Sequence, residues 1–303
     1  MTPEPAGVAT ALRRAGFDPV VQPRLVAQGW ESRIFRCETA GAILAARVHA
    51  HPDPDRARRE MEMMTELAER GYPVPAVHSL TEISGYPLLV MDFIDGPNLR
   101  DAGWPMERTA DLCRDLMDRL HVLSVAAPPD DPVAWLRSGT LRLAEAMPRF
   151  RPYVDAIWAS EPSDLVSAYC HLDFHPGNVL WDGRPWVIDW TGGRVTDPRF
   201  DRAWTRLLAS MYEPEWVSRF ASDGDERWFE GGMALRRLGT VADMLASGTH
   251  AAGDELVAHL DVMEIPARWL EHATGIGVPD VRSLLFGASE NQSGAGSEAS
   301  RTM

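Results

Sequence analysis

The side chains best suited to chemistry lie in two short segments, His-Leu-Asp-Phe-His-Pro-Gly-Asn at 171–178 and Val-Ile-Asp-Trp at 187–190. They supply a carboxylate at Asp173, an amide at Asn178 and a second carboxylate at Asp189. Phosphoryl transfer from a nucleotide uses such a set, because one carboxylate accepts the proton of the attacking hydroxyl and oxygen ligands hold Mg²⁺ against the phosphates. We therefore expect Asp173 to act as the base and Asn178 and Asp189 to bind magnesium.

The spacing resembles that of the aminoglycoside phosphotransferase and choline kinase-like family of small-molecule kinases. The family pattern is His-x-Asp-x-x-x-x-Asn, then an apolar pair with Asp and Trp, then Asp-Pro and a further Asp. Here it begins at His171 and continues to Asp197-Pro198 and Asp201. The resemblance implies that His171, Asp197 and Asp201 support the catalytic loop. Leu172 stands where many members have Gly, and we expect it to be tolerated because neither chemistry nor metal uses that side chain.

Two simpler interpretations of these residues stay open. His171, Asp173 and His175 alternate along the chain, as ligands of a transition metal on one face of a strand would. Asp197 could act as the N-cap of a helix whose first residue is Pro198, because both residue types favour those positions.

The composition limits the class of protein. The chain has 303 residues, 45% of them hydrophobic, which is enough for a large core. A formal net charge of −14 argues against nucleic acid or an anionic membrane as partner. The three cysteines are isolated, which favours a reducing compartment. No signal-peptide pattern or long apolar run is visible, so we expect a cytoplasmic protein, either a monomer or a homodimer.

The first part of the chain alternates short strands with helices. A helix is predicted at 5–17, and Asp53 and Pro54 open a second helix at 53–70 with an apolar stripe of Ala57, Met61, Met64 and Ala68. Strands are predicted at 20–26, 33–38, 42–49, 77–81 and 87–92. The fold class is therefore α+β, and the order of elements is that of the five-stranded antiparallel N-lobe of a bilobal, protein-kinase-like fold.

The rest of the chain is predicted to be mainly helical. Helices are expected at 105–125, 131–158, 197–211, 213–222, 225–247, 254–273 and 278–286, and a catalytic hairpin at 168–190 interrupts them. The predicted domains are an N-lobe at 1–95 and a C-lobe at 96–286. The tail at 287–303 is rich in small and polar residues and is expected to be disordered.

The N-lobe carries the residues expected to bind nucleotide. The segment 29–36 resembles the phosphate-covering loop of the family and includes Ser32. The sequence contains no lysine, so Arg47 on the third strand is expected to anchor the α- and β-phosphates in its place, oriented by Glu60. Asp92 and Ile94 mark the expected hinge, where backbone groups would pair with adenine. The simpler alternative is that Arg47 and Glu60 are solvated, with Glu62 as the competing helix carboxylate.

Together these features predict an ATP- and magnesium-dependent phosphotransferase that acts on a hydroxyl of a small molecule. GTP is the alternative nucleotide, and an aminoglycoside or another natural product is the expected acceptor. A kinase of a metabolic amino alcohol or sugar and a non-catalytic nucleotide-binding regulator are the alternatives. A protein kinase is disfavoured because the stretch from Thr191 to Pro198 is only eight residues long, which leaves little platform for an extended peptide. Acceptor choice is expected to depend on an acidic set or an aromatic set in the C-lobe, namely Asp130, Asp131, Asp155, Glu161, Asp164, Asp223, Asp225, Glu226 and Glu230, or Trp135, Trp158, Phe220 and Trp228.

Overall fold

The computed structural model describes residues 4–29, 32–220, 224–246 and 260–286. The chain divides into two compact units. The first unit comprises Met1–Leu123 with Asp173–Arg194, and the second comprises Ser124–Leu172 with Val195–Met303. The predicted tail at 287–303 lies outside the described residues, and the predicted lobe boundaries stay a prediction.

A five-stranded antiparallel sheet forms the centre of the first unit, as predicted. Its strands are Arg24–Gln28 (β1), Ser32–Glu38 (β2), Ile43–His49 (β3), Val77–Ile83 (β4) and Tyr86–Asp92 (β5). They run in the order β1-β2-β3-β5-β4 across the sheet. The central strand β3 is buried from Leu44 to His49, so a charged residue on it needs partners inside the protein.

Two helices accompany this sheet. Pro5–Arg14 (α1) buries Val8 and Leu12 in the core beneath the sheet. Pro54–Glu69 (α2) begins as predicted, because the Asp53 carboxylate accepts a hydrogen bond from the Arg56 N–H at 3.0 Å. The predicted stripe on α2 was wrong in part, since the buried residues are Ala57, Glu60, Met64 and Leu67 and Ala68 is exposed.

The segment after the sheet and the segment from 173 to 194 complete the first unit. Met106–His121 (α3) buries one apolar face. Val179–Trp181 (β7) pairs with Pro185–Val187 (β8) to form a hairpin. The Leu99 N–H donates to the carbonyls of Pro176 and Val179, and the Val187 N–H donates to the Pro73 carbonyl. These backbone bonds fix the 173–194 segment against the rest of the unit.

The second unit is built mainly from helices around an apolar core. Its elements are Ala134–Ala146 (α4), Arg151–Ala159 (α5), Ala168–Cys170 (β6), Arg194–Thr196 (β9), Arg199–Tyr212 (α6), Arg227–Ala246 (α7), Glu264–Thr274 (α8) and Val281–Phe286 (α9). At its centre Phe200 packs against Trp135, Trp228 and Phe229, with ring centroids 4.9–5.5 Å apart. These aromatic contacts hold α6 and α7 together.

Several predicted helices of this unit differ from the structure. The helix predicted at 131–158 is two helices, because Met147 leaves helical geometry and Pro148 starts a 3₁₀ turn that leads into α5. The helix predicted at 213–222 is a 3₁₀ segment, Pro214–Phe220. Part of the helix predicted at 254–273 lies outside the described residues, and α8 begins at Glu264.

No helix in the described part of the chain is both long enough and apolar enough to cross a bilayer. The three cysteines, Cys37, Cys113 and Cys170, are buried, and no disulfide links them.

Candidate active site

Arg47 and Glu60 form a buried ion pair in the first unit. The guanidinium of Arg47 donates to the Glu60 carboxylate at 2.7 Å, and each residue is 2% exposed. The sequence places them together because β3 is a central strand and Glu60 belongs to the buried stripe of α2. The alternative of two solvated side chains is wrong, and the competing Glu62 is exposed.

A second arm of Arg47 reaches the segment that follows β8. Its Nη2 donates to Asp189 Oδ1 at 2.7 Å and to the Thr191 hydroxyl at 2.7 Å. The Thr191 hydroxyl in turn donates to Asp189 Oδ1 at 2.6 Å. A guanidinium makes both contacts at once because its donors lie in a planar fork, which an ammonium lacks. Sequence reasoning missed Thr191, and a hydroxyl two residues after Asp189 was the only available signal.

His49 packs against the far side of the ion pair. Its Nε2 lies 3.5 Å from Glu60 Oε2, and the residue is 5% exposed. Burial lowers the pKa of His49 to about 4, and the positive charges of Arg47 and Arg56 act in the same direction. His49 is therefore neutral at pH 7, so Arg47 alone supplies the positive charge that compensates Glu60 within this trio.

Asp173 and Asn178 are in direct contact at the start of the hairpin segment. The Asn178 amide donates to the Asp173 carbonyl at 2.9 Å and to its carboxylate at 3.3 Å. The Ile188 N–H donates to the Asn178 carbonyl at 2.9 Å, which ties the strand before Asp189 to Asn178. The structure thus brings together Arg47, Glu60, Asp173, Asn178 and Asp189 within one unit, and their roles stay predictions.

The oxygen atoms of this group fit magnesium as a ligand set. Because the Asn178 NH₂ faces Asp173, its Oδ1 points the other way. Asp189 Oδ1 accepts from Arg47 and Thr191, and the side chain is 37% exposed. An amide oxygen and a carboxylate oxygen are hard donors of the kind that Mg²⁺ prefers, with phosphate and water completing its shell.

The backbone just before Asp173 has an unusual conformation. Leu172 has a φ of 58°, in the left-handed region that favours glycine. The Asp201 carboxylate accepts hydrogen bonds from the N–H groups of His171 (2.9 Å) and Leu172 (2.5 Å). The family glycine at this position thus has a backbone reason. We expected Leu172 to be tolerated on side-chain grounds alone, and that argument omitted the strain.

Of the other expected or newly found residues of the second unit, Arg236 contacts this backbone, whereas Asp197 contacts Val166 and Arg199. Arg236 on α7 donates to the Leu172 carbonyl at 3.1 Å and lies over the Trp204 ring, 4.5 Å from its centroid. Sequence reasoning missed Arg236. Asp197 accepts from the Arg199 N–H at 3.0 Å, as an N-cap does, although α6 begins at Arg199 rather than Pro198. Its other oxygen accepts from the Val166 N–H at 3.0 Å.

The residues of the expected hinge lie in the described part of the chain, whereas the expected phosphate loop is described only in part. The Asp92 N–H donates to the Ala76 carbonyl at 2.9 Å, and its carboxylate lies 2.7 Å from His78 Nε2. The role of Asp92 at the hinge stays a prediction. Ile94 follows the end of β5 in an irregular segment. Ser32 begins β2, and its backbone carbonyl accepts a hydrogen bond from the Gly29 N–H at 2.9 Å. Residues 30 and 31 lie outside the described residues.

Most of the acidic residues expected to select an acceptor already have arginine partners. Their pairs are Asp131 and Glu161 with Arg137 (3.5 and 2.7 Å), Asp164 with Arg199 (3.1 Å), Asp225 with Arg227 (2.5 Å), Glu226 with Arg202 (3.3 Å) and Glu230 with Arg206 (2.8 Å). Asp223 lies outside the described residues. Of the aromatic set, Phe220 and Trp228 are buried, and Trp158 packs on Trp228. Most of the described side chains of both sets therefore contact other residues of the second unit.

Comparison with known proteins identifies a family that contains phosphotransferases. Residues 23–238 match the model of a family described as the phosphotransferase enzyme family. A homoserine kinase from Methylobacillus glycogenes is 29% identical over 166 residues, which are 49% of this chain and 48% of that protein. The match therefore spans about half the length of this curated relative.

Solved structures show the same fold at low sequence identity. A thermostable mutant of aminoglycoside phosphotransferase APH(4)-Ia, in ternary complex with ADP and hygromycin B, aligns with a TM-score of 0.63 at 16% identity, over 88% of this chain and 98% of that one. Choline kinase LicA from Streptococcus pneumoniae aligns with a TM-score of 0.57 at 14% identity, over 82% and 94%. The protein-kinase-like fold and the family resemblance expected from the sequence are confirmed.

Proposed function

The chain belongs to the phosphotransferase enzyme family, and from that premise we propose that it transfers the γ-phosphoryl group of ATP to a hydroxyl of a small molecule. One observation carries the proposal. A single buried arginine, Arg47, connects Glu60 to Asp189, in the same unit as the Asp173–Asn178 pair. A structural ion pair alone would not need the second arm of Arg47 to end on a carboxylate that is partly exposed to solvent.

The proposed reaction assigns one task to each residue. Asp173 accepts a hydrogen bond from the acceptor hydroxyl and takes its proton as the oxygen bonds to the γ-phosphorus. The bond between that phosphorus and the β–γ bridging oxygen breaks, and ADP leaves with the electron pair. Arg47 exchanges part of its contact with Asp189 for the α- and β-phosphates, while Glu60 holds its other arm.

Asn178 and Asp189 would hold magnesium through Asn178 Oδ1 and the Asp189 carboxylate. Bound magnesium neutralises charge on the β- and γ-phosphates. The contribution of the chain itself is positioning, because the loose transition state asks for little covalent chemistry from the protein.

ATP is proposed as the nucleotide because the aligned aminoglycoside phosphotransferase was solved with ADP. The acceptor is proposed to be a small hydroxyl compound of low positive charge, such as an amino alcohol. The arginine pairs of the acidic residues support this, because each arginine already compensates a carboxylate charge that would otherwise attract a polycationic aminoglycoside. The partial match to a homoserine kinase supports the same class.

A panel of acceptors tests this proposal. ADP release from Mg–ATP would be measured with L-homoserine, choline, ethanolamine, a hexose and hygromycin B, each against an acceptor-free blank. We expect one of the amino alcohols to give the highest kcat/KM, and Asp173→Asn to abolish that signal. Highest turnover with hygromycin B would overturn the low-charge acceptor while keeping the kinase. ATP binding without turnover on any acceptor would favour the non-catalytic regulator.

A further inference from the structure

The ring of His175 is held in one neutral tautomer. Its Nδ1 accepts a hydrogen bond from the Gly177 N–H at 3.0 Å. An imidazole nitrogen that accepts a hydrogen bond carries no proton, so the proton of the neutral ring is on Nε2. The hydrogen bond at Nδ1 therefore makes Nε2 a hydrogen-bond donor.

This donor faces the carboxylate that is proposed to act as the base. His175 Nε2 lies 3.9 Å from Asp173 Oδ2, and the two side chains are 25% and 41% exposed. That separation is too long for a direct hydrogen bond. It matches one oxygen atom placed at ~2.8 Å from each, with an angle of roughly 90° between the two hydrogen bonds.

Gly177 makes room for the ring in this position, because it has no side chain. A Cβ atom on Gly177 would lie 2.8 Å from His175 Cε1 and 2.9 Å from Nδ1, closer than such atoms approach. Beyond the ring, Arg100 Cζ would be 3.7 Å from the same atom. Gly177 is thus required by a close approach of the His175 ring to the backbone.

From this geometry we propose that His175 Nε2–H and Asp173 Oδ2 form a donor–acceptor pair that binds the acceptor hydroxyl. The hydroxyl donates its proton toward Asp173 and accepts from His175, so one lone pair of its oxygen stays available for the γ-phosphorus. His175 transfers no proton, and the proton of the hydroxyl goes to Asp173. The inference rests on the proposed kinase function and adds a second residue that contacts the acceptor.

Two substitutions separate the tasks of the two ring nitrogens. In His175→Asn the side-chain oxygen replaces Nδ1 and keeps the Gly177 hydrogen bond, but no donor reaches the position of Nε2. In His175→Gln the amide nitrogen reaches that position. With the acceptor that the panel identifies, we expect His175→Asn to lower kcat/KM for the acceptor by roughly 10–100-fold and to leave KM for ATP within about twofold. His175→Gln should recover most of the loss.

Gly177→Ala is the complementary variant, because its new methyl group displaces the ring while both side chains of the pair remain. It should reproduce the acceptor defect of His175→Asn. An unchanged kcat/KM in His175→Asn, or a His175→Gln variant no better than His175→Asn, would overturn the proposal.

Nitrogen-15 NMR of the histidine-labelled protein tests the tautomer without any substrate. The His175 signals, assigned by their loss in His175→Asn, should show a protonated Nε2 and an unprotonated Nδ1. A proton on Nδ1 would contradict the assignment whatever the turnover. Absence of turnover in the wild-type protein on every acceptor would instead contradict the proposed function, and with it the hydroxyl that the pair is proposed to bind.

Discussion

Arg47 is the residue that is proposed to bind the α- and β-phosphates of ATP. It is buried, and it contacts Glu60, Asp189 and Thr191 at 2.7 Å each. Arg47→Lys should keep the charge but lose the simultaneous contacts, because an ammonium is a compact point donor. We expect KM for ATP to rise and kcat/KM to fall by an amount equivalent to roughly 1.5–3 kcal/mol. Steady-state kinetics with varied ATP would measure this.

The control for Arg47 separates stability from nucleotide binding. Arg47→Met should destabilise the fold by roughly 3–5 kcal/mol, because it leaves the Glu60 charge buried without its partner. The double variant with Glu60→Met should recover stability, since an apolar pair can replace a buried ion pair, yet it should not recover ATP kinetics. Recovery of both would show that Arg47 has only a structural role.

Leu172 gives a second prediction at this scale. Its side chain is fully buried and its φ is 58°, so Leu172→Ala loses burial but keeps the left-handed strain, while Leu172→Gly relieves it. The strain is worth roughly 1–2 kcal/mol, which exceeds the usual advantage of Ala over Gly. Leu172→Gly should therefore unfold at the same urea concentration as Leu172→Ala or higher. A clearly less stable Gly variant would mean that the conformation is not strained.

At the scale of elements, α2 positions Glu60, and its first turn depends on Asp53. The Asp53 carboxylate accepts from the Arg56 N–H, so Asp53→Ala should lower the free energy of unfolding by about 0.5–2 kcal/mol. Asp55→Ala is the matched control, because Asp55 lies two residues further along in the same first turn and pairs with Arg58 at 3.4 Å near the surface; it should lose less. Denaturant melts of both variants would compare them, and equal losses would argue against the cap.

The elements also show what sequence patterns can and cannot predict. Asp53 and Pro54 predicted the start of α2 because capping and proline geometry are local. The stripe on α2 was misplaced by one residue at two positions, Met61 for Glu60 and Ala68 for Leu67. The first was missed because Glu60 is charged, and an apolar pattern passes over a buried charged residue. The break at Met147–Pro148 was missed because the apolar periodicity continues across it.

The residues of the candidate site that could be predicted from the sequence are those that lie close together along the chain. Asp173, Asn178 and Asp189 lie within seventeen residues and follow a recognisable pattern. Thr191, Arg236 and the orientation of His175 were not predicted, because each depends on contacts that only the folded chain creates. The left-handed backbone at Leu172 was signalled only by the glycine that many family members have there, because a leucine by itself gives no sign of it.

At the scale of the whole molecule, acid stability should depend on His49. Its pKa is lowered from the ordinary 6.5 to about 4 in the folded protein, so the unfolded chain binds this proton first as pH falls. The stability that His49 contributes is present above pH 6.5 and is lost progressively between about 6.5 and 4. His49→Gln should reduce the loss of unfolding free energy between about pH 7 and about pH 4.5 by on the order of 2 kcal/mol.

Urea melts of both proteins at several pH values would measure that difference. Identical slopes of unfolding free energy against pH, for wild type and His49→Gln, would mean that the buried imidazole does not control acid stability. Glu62→Gln, which changes an exposed carboxylate on the same helix as Glu60, is the control for a general change in charge.

Phosphorus-31 NMR of the reaction mixture tests the central claim most directly. Wild-type protein and Asp173→Asn would each be incubated with Mg–ATP and the acceptor that the panel identifies, after calorimetry has shown that both bind ATP. We expect wild type to produce ADP and a new phosphomonoester resonance. Asp173→Asn should form the phosphomonoester roughly 10²–10⁴-fold more slowly, while its Kd for ATP changes little. A phosphomonoester formed by Asp173→Asn within about threefold of the wild-type rate would contradict the assignment of Asp173 as the base.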